Sequence, residues 1–325
     1  MKKRIFALLA ALLTALGLSA CGAPDAGGEQ DERALQIVTT IFPIYDWTVE
    51  ILGDGQTDAE VTLLLDSGVV LHSFQPTADD IIKISTCDLF VYVGGESEDW
   101  VEDALAERSN EDMVVVNLMD VLDEALKEEE TVEGMQSEEE EGEGETEYDE
   151  HIWLSLKNAQ TLCQYLSDRL CEIDSEHSAD YQENTAAYLE QLDGLDGAYQ
   201  AAVSAADRST LLFADRFPFR YLCDDYGLSY YAAFSGCSAE TEASFETVVF
   251  LADKVDELGL SSILTIDGSD QKVAQTVLST AQAEDVQILT MDSMQSTTLE
   301  DAENGVSYLS IMEDNLTALT QALND

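Results

Sequence analysis

The chain has 325 residues, with 67 Asp and Glu against 14 Lys and Arg, for a formal net charge of −53. That balance excludes nucleic acid as a partner, because such binding runs on phosphate neutralisation by Lys and Arg, and it equally disfavours an anionic membrane surface. Dense negative charge instead raises the local concentration of cations, and an apolar content of 45% is normal for a globular protein.

The first residues read as an export signal over 1–20. Lys2, Lys3 and Arg4 precede an apolar run over 5–18, which ends in Leu18-Ser19-Ala20-Cys21. The run is shorter than the roughly 20 apolar residues of a spanning helix, and small residues close it as at a cleavage point. Cys directly after Leu-Ser-Ala resembles a bacterial lipobox, which implies cleavage before Cys21 and a lipid on its sulfur; the plainer reading is a secretory signal that happens to contain a Cys. A single attachment makes a protein anchored, not spanning. Residues 21–33 are Gly-rich and acidic and read as a flexible tether.

Strand-like segments at 36–40, 60–65, 89–93 and 113–117 alternate with helix-like ones at 45–52, 77–85, 98–106 and 156–174, making a first lobe over 34–175. Such alternation implies parallel strands with crossover helices. Within it, 121–150 is dominated by Glu and reads as a disordered surface loop, either a solvated spacer or a weak cation collector. A connecting segment follows at 176–207. In its helix, 178–206, the larger apolar side chains Tyr181, Tyr188, Leu192, Leu195, Tyr199 and Val203 keep to one face. Such a helix is about 40 Å long, a rigid strut that limits hinge opening. The second lobe, 208–325, repeats the pattern, with strands at 210–213, 229–233, 262–266 and 287–291 and helices at 219–225, 243–258, 270–282 and 308–323. The fold class is therefore α/β, two parallel-sheet lobes joined by one long rigid helix.

Beyond Cys21 the cysteines are Cys87, Cys163, Cys171, Cys223 and Cys237, an odd number without C-x-x-C spacing. Cys163 and Cys171 are about 12 Å apart on one predicted helix, too far for a disulfide. Most of the five read as small buried apolar residues.

Four segments carry candidate chemistry. Leu71-His72-Ser73-Phe74-Gln75-Pro76-Thr77 follows a strand and precedes a helix that Thr77 can cap, where ligand residues of open α/β sheets belong. Asp149-Glu150-His151-Ile152-Trp153 opens the next long helix. His72 and His151 are two of only three His in the chain, and His177, among polar residues, reads as surface. Neutral imidazole suits zinc and other transition metals. In the second half, Asp215 lies past the first strand, Asp267 past the third, and Asp270 at the following helix start. Asp270 can also serve as a helix cap, and Asp215 can pair with Arg216 or Arg220. Two His from one lobe and two carboxylates from the other make a four-ligand set that zinc or manganese accepts.

Val38-Thr39-Thr40-Ile41-Phe42-Pro43, the His72 loop, Asp88-Leu89-Phe90-Val91-Tyr92-Val93-Gly94, His151-Ile152-Trp153-Leu154-Ser155, Tyr226-Gly227-Leu228 and Glu240-Thr241-Glu242-Ala243-Ser244 occur in this order. Together they resemble the zinc and manganese solute-binding lipoproteins of ABC importers, the cluster A-I family, over nearly the whole chain after the leader. The resemblance implies two (β/α)₄ lobes, a connecting helix, a metal held between the lobes, an ABC permease as partner, and membrane attachment by the lipid alone. It assigns His72 and His151 to the first two ligand positions. At the third, ungapped alignment gives Arg216 and a small shift gives Ala214 or Asp215, of which Asp215 alone is chemically competent. The fourth falls on Asp267 or Asp270. The cargo expected is Zn²⁺, with Mn²⁺ as the alternative, carried by a monomer that is not an enzyme. Two other classes stay open. One is an extracellular metallohydrolase, against which stands the lack of H-E-x-x-H, G-x-S-x-G or a general base beside the His pair. The other is a strut-linked binder of a metal chelate, which needs more Arg than this chain offers.

Overall fold

The computed structural model describes residues 33–53, 55, 57–136, 147–238 and 242–324. Cys21, the segment 1–20 and residues 137–146 lie outside them.

Residues Leu35–Asp325 form one compact unit. Two four-stranded parallel sheets carry it. In the first, β1 (Leu35–Thr39), β2 (Ala59–Leu63), β3 (Leu89–Tyr92) and β4 (Val114–Asn117) are ordered β2-β1-β3-β4. In the second, β5 (Thr210–Phe217), β6 (Ser229–Ser235), β7 (Ser262–Ile266) and β8 (Gln287–Met291) are ordered β6-β5-β7-β8. All pairings within the strands are parallel, as the alternation of strand and helix predicts. Both sheets reverse strand order beside their first strand, so each has a crevice at its strands' carboxyl ends.

The crossover helices of the first half are α1 (Phe42–Leu52), α2 (Ala78–Thr86), α3 (Trp100–Ala106), α4 (Leu118–Leu122) and α5 (Leu156–Ile173). Pro43 opens α1, where its missing N–H costs nothing. Thr77 caps α2 in a capping box with Asp80. The connector is α6, Ser178–Ala205, 28 residues long. Its buried residues are Tyr181, Thr185, Tyr188, Leu192, Leu195 and Tyr199, the single face that the spacing predicts. The second half has α7 (Arg220–Tyr226), α8 (Phe245–Leu258), α9 (Lys272–Thr280), α10 (Leu299–Glu303) and α11 (Tyr308–Asn324). Among the described residues no helix is long and apolar enough to cross a membrane.

The larger apolar core runs through residues of both sheets and α6, from Ile37 and Phe90 through Tyr188 and Tyr199 to Phe213, Leu264 and Met312, and a smaller one, with Leu212, Val248, Leu251, Ile263 and Val277, lies within the second half. Polar clasps stitch the halves along it. Trp153 Nε1 donates to the Ser293 carbonyl at 2.9 Å. The Tyr308 hydroxyl donates to the Trp153 carbonyl at 2.7 Å, and the Tyr308 amide to Asp46 Oδ2 at 2.9 Å.

The expectation of an unpacked loop over 121–150 is corrected for its described residues. Leu126 and Val132 pack against the core and Met135 is buried within it. The Gln136 amide donates to the Ala233 carbonyl at 2.9 Å, extending the edge of the second sheet beside β6. The Ser244 amide donates to Gln136 Oε1, and Lys127 pairs with Asp224 at 2.7 Å. A few apolar residues amid the carboxylates are enough to dock this strap across the second half.

Candidate metal centre

His72 sits in a one-turn 3₁₀ segment, Leu71–Ser73, beyond β2. His151 immediately precedes another, Ile152–Leu154, that leads into α5. Their Nε2 atoms lie 3.2 Å apart. Each ring's other nitrogen has an acceptor. His151 Nδ1 is 2.9 Å from Asp149 Oδ1, which also accepts the His151 amide at 2.8 Å. His72 Nδ1 is 2.6 Å from Ser97 Oγ and 3.5 Å from Glu150 Oε2. With Nδ1–H directed at these oxygens, imidazoles in the neutral, metal-binding form turn their Nε2 lone pairs toward one another. Two lone pairs at that separation repel unless a cation lies between them. Tetrahedral zinc with bonds of 2.0–2.1 Å sets its nitrogens about 3.3 Å apart, which matches the observed spacing.

The electrostatics keep the pair ready. His151 is fully buried and His72 is 11% exposed. Burial first, then His151 and the Arg216 guanidinium, lower the His72 pKa to about 3, so its ring is neutral at physiological pH. Two carboxylates surround the pair, Glu150 from the segment before His151 and Glu98 from the loop after β3. Glu150 Oε1 accepts the Ser97 amide at 2.9 Å, and burial raises the Glu150 pKa. Gly95, at φ +82°, passes so close to Glu150 that a Cβ there would overlap its carboxylate. Glu98, buried behind it, accepts the Gly94 amide at 2.8 Å, and burial lifts it to about 7.

From the second half comes the loop after β6. Cys237 Sγ and one ring nitrogen each of His72 and His151 all lie within 4.8 Å of one another. Gly236 presses on His151 so tightly that a Cβ would come 2.8 Å from Cε1 and 2.9 Å from the Phe217 carbonyl. Gln295, 4% exposed, places Nε2 at 3.2 Å from His151 Nε2. Burial first, then Asp149, Glu150 and Glu129, push the Cys237 thiol up.

The carboxylates expected from the second half are not in this cluster of three. Asp215 lies in a bulge of β5 between Phe213 and Arg216. Its Oδ1 accepts the Arg216 amide at 2.9 Å, and its buried Oδ2 has no hydrogen-bond partner. Asp267 Oδ1 accepts the Ser293 amide and hydroxyl, both at 2.7 Å, and Oδ2 the Ser296 hydroxyl at 2.5 Å. Asp270 is exposed, accepts the Lys272 amide at 3.0 Å at the start of α9 and pairs with the Lys272 ammonium. His177 pairs with Asp174 at 2.7 Å, away from the pair. Sequence reasoning did not single out Cys237, Ser97 or Gln295. A signal existed for Cys237, which directly follows the Gly after a strand, as a ligand residue in such a sheet does. Chemically, two neutral imidazoles, a thiol and an amide can hold a divalent transition ion.

Two parallel sheets bridged by a long helix, with a buried imidazole pair past the strand ends, define a metal-site α/β protein of two-sheet design. The chain belongs to the ZnuA family, described as zinc-uptake complex component A periplasmic, whose match runs over residues 37–322. It is 34% identical over 322 residues to the zinc-binding lipoprotein AdcA of Streptococcus pneumoniae, covering 99% of this chain and 61% of that protein. The chain thus spans about three fifths of the length of that relative. It is 29% identical over 313 residues to the high-affinity zinc uptake system protein ZnuA of Bacillus subtilis, covering 94% of this chain and 93% of that one. Among solved structures, the Zn(II)-bound ZnuA-like domain of Streptococcus pneumoniae AdcA superposes with a TM-score of 0.70 at 29% identity, over 90% of this chain and all of that one.

Proposed function

We propose that this chain captures a zinc ion outside the cytoplasm and delivers it to an ABC importer, held to the membrane by a lipid on Cys21 and acting as a monomer. In this reading the halves 34–175 and 208–325, joined by 176–207, flank the ion. His72 and His151 are its imidazole ligands, and the protein is a carrier, not a hydrolase. The observation that carries the reading is the pair of Nε2 atoms 3.2 Å apart, each ring oriented by an oxygen on its far nitrogen. Family membership and the zinc-binding names of its relatives support it. Metal analysis of protein purified without chelator tests it, with calorimetric titration of His72→Ala and His151→Ala. One zinc per chain, and affinity falling at least about tenfold in each variant, is the expected outcome. Wild-type affinity in both variants removes the site.

A further inference from the structure

We infer that Cys237 is a ligand of the bound ion, a thiolate from the second half that closes on the two imidazoles of the first and makes the centre select zinc over manganese. The inference rests on the zinc-capture reading and goes further, because it assigns the residue from the second half and the basis of selectivity. Its ground is geometric. Among the described residues, Cys237 is the thiol that joins His72 and His151 in one set of ligand atoms within 4.8 Å of one another. A zinc with a 2.3 Å bond to sulfur and bonds of 2.0–2.1 Å to nitrogen puts S and N about 3.6 Å apart, so from a spread within 4.8 Å the loop has at most about 1 Å to close. Gly236 is what permits that approach, since any side chain there would strike the His151 ring and the Phe217 carbonyl. The carboxylates Asp267 and Asp270 are meanwhile engaged by Ser293, Ser296 and Lys272.

A second observation points the same way. Gln295 is buried at 4% exposure, its amide nitrogen is 3.2 Å from His151 Nε2, and its Oε1 has no hydrogen-bond partner. A buried amide oxygen without a donor is costly. Turning the amide over, which costs little because its two ends are alike in size, presents that oxygen to an ion on His151. Two imidazoles, a thiolate and an amide carbonyl then make a four-coordinate set. Soft thiolate favours zinc, whereas manganese prefers carboxylate, carbonyl and water. On binding, the Cys237 S–H bond breaks, the sulfur–metal bond forms, and the proton leaves to solvent.

Cobalt(II) is the probe, because a sulfur ligand gives it an intense near-ultraviolet charge-transfer band that nitrogen and oxygen ligands do not. The full chain is titrated with cobalt(II), zinc and manganese, beside Cys237→Ser, Cys237→Ala and His72→Ala, with circular dichroism to confirm folding. The expected result is the band in the wild type and its loss in both Cys237 variants. Their zinc affinity should fall at least about tenfold while manganese affinity stays within about twofold. Zinc should also protect one thiol of the wild type from alkylation, and none in Cys237→Ser. Cobalt bound by the wild type without the band, together with zinc bound at the same affinity as in Cys237→Ala, overturns the inference and leaves the zinc-capture reading standing. Failure of the wild type to bind either zinc or cobalt sinks both. Should the Cys237 variants fail to fold, the wild-type band and the protected thiol decide alone.

Discussion

Replacing Asp46 by Asn tests how far burial governs the charges under this core. Asp46 is 8% exposed on α1 and accepts the Tyr308 amide at 2.9 Å. Burial, with Glu50 adding repulsion, raises its pKa from 3.8 to about 7. In the folded protein it therefore keeps its proton between those values, where the unfolded chain has released it. The folded state binds more protons in that window, so stability falls as pH rises through it and the penalty is complete above pH 7. At 1.36 kcal/mol per pH unit the whole window is worth about 4 kcal/mol, and the part between pH 5 and 8 about 2–3 kcal/mol. Asn keeps the carbonyl that accepts the Tyr308 amide but carries no charge. Urea unfolding of metal-free wild type and Asp46→Asn at pH 5 and pH 8 reads the effect directly. The variant's stability relative to wild type should grow by about 2–3 kcal/mol from pH 5 to pH 8. An equal difference at both values would show that Asp46 is ionised in the fold and refute the reasoning.

The other predictions concern the strap, the strut and the centre. Gly134, at φ +80°, faces the Phe250 ring so closely that a Cβ would collide with it; Gly134→Ala should cost about 1–3 kcal/mol in chemical denaturation, and an unchanged midpoint would mean the strap is not docked. Gly194 and Gly197 of α6 have open space around their Cβ positions, so Ala at each should add about 0.5–1 kcal/mol, and a loss at either site would contradict the strut's packing. Asp149→Ala removes the acceptor of His151 Nδ1 without removing a candidate ligand. It should weaken zinc binding about 10–100-fold by calorimetry, and a titration matching wild type would mean that His151 needs no orienting partner. Zinc at 100 times Kd should raise wild-type stability by about 2.7 kcal/mol, seen as a higher melting temperature that a chelator reverses; no shift would mean the folded form has no preference for the ion.

Much of the fold was legible because each strand is a short β-branched or aromatic run bounded by turn residues. Every expected strand is present, and 262–266 and 287–291 match to the residue. β5 runs to Phe217 instead of ending at 213, because the bulge after Phe213 lets the ladder resume at Arg216; local pattern cannot announce a bulge. The helices α4 and α10 escaped notice because five residues carry too little periodicity. The imidazole pair was legible because His is scarce in this chain and each stood just before a helix of the first lobe. Cys237 was passed over despite its place after the Gly that follows a strand, since its meeting with residues 72 and 151 is a long-range contact and the chain has several buried thiols that mask it. The strap was misread because composition averages over a segment, whereas docking depends on where Leu126, Val132 and Met135 fall.

The two sheets repeat one topology, yet the larger core is shared between them, and only a smaller one, around Leu251 and Val277, belongs to the second half alone. Tyr181 and Tyr188 of α6 are buried toward one end of the strut, while the Tyr199 hydroxyl donates to the Met312 carbonyl of α11 at 2.7 Å and its ring stacks on Tyr226 at 5.2 Å. The apolar cluster that results takes in residues from both sheets at once. Half of the chain cut away would leave a tyrosine-lined helix face and the Trp153 and Tyr308 clasps without partners, an exposed apolar surface of the kind that aggregates. Melting should accordingly be a single cooperative event with calorimetric and van't Hoff enthalpies equal. An internally repeated architecture has thereby become indivisible: its halves resemble one another in topology but can no longer be exchanged as independent modules.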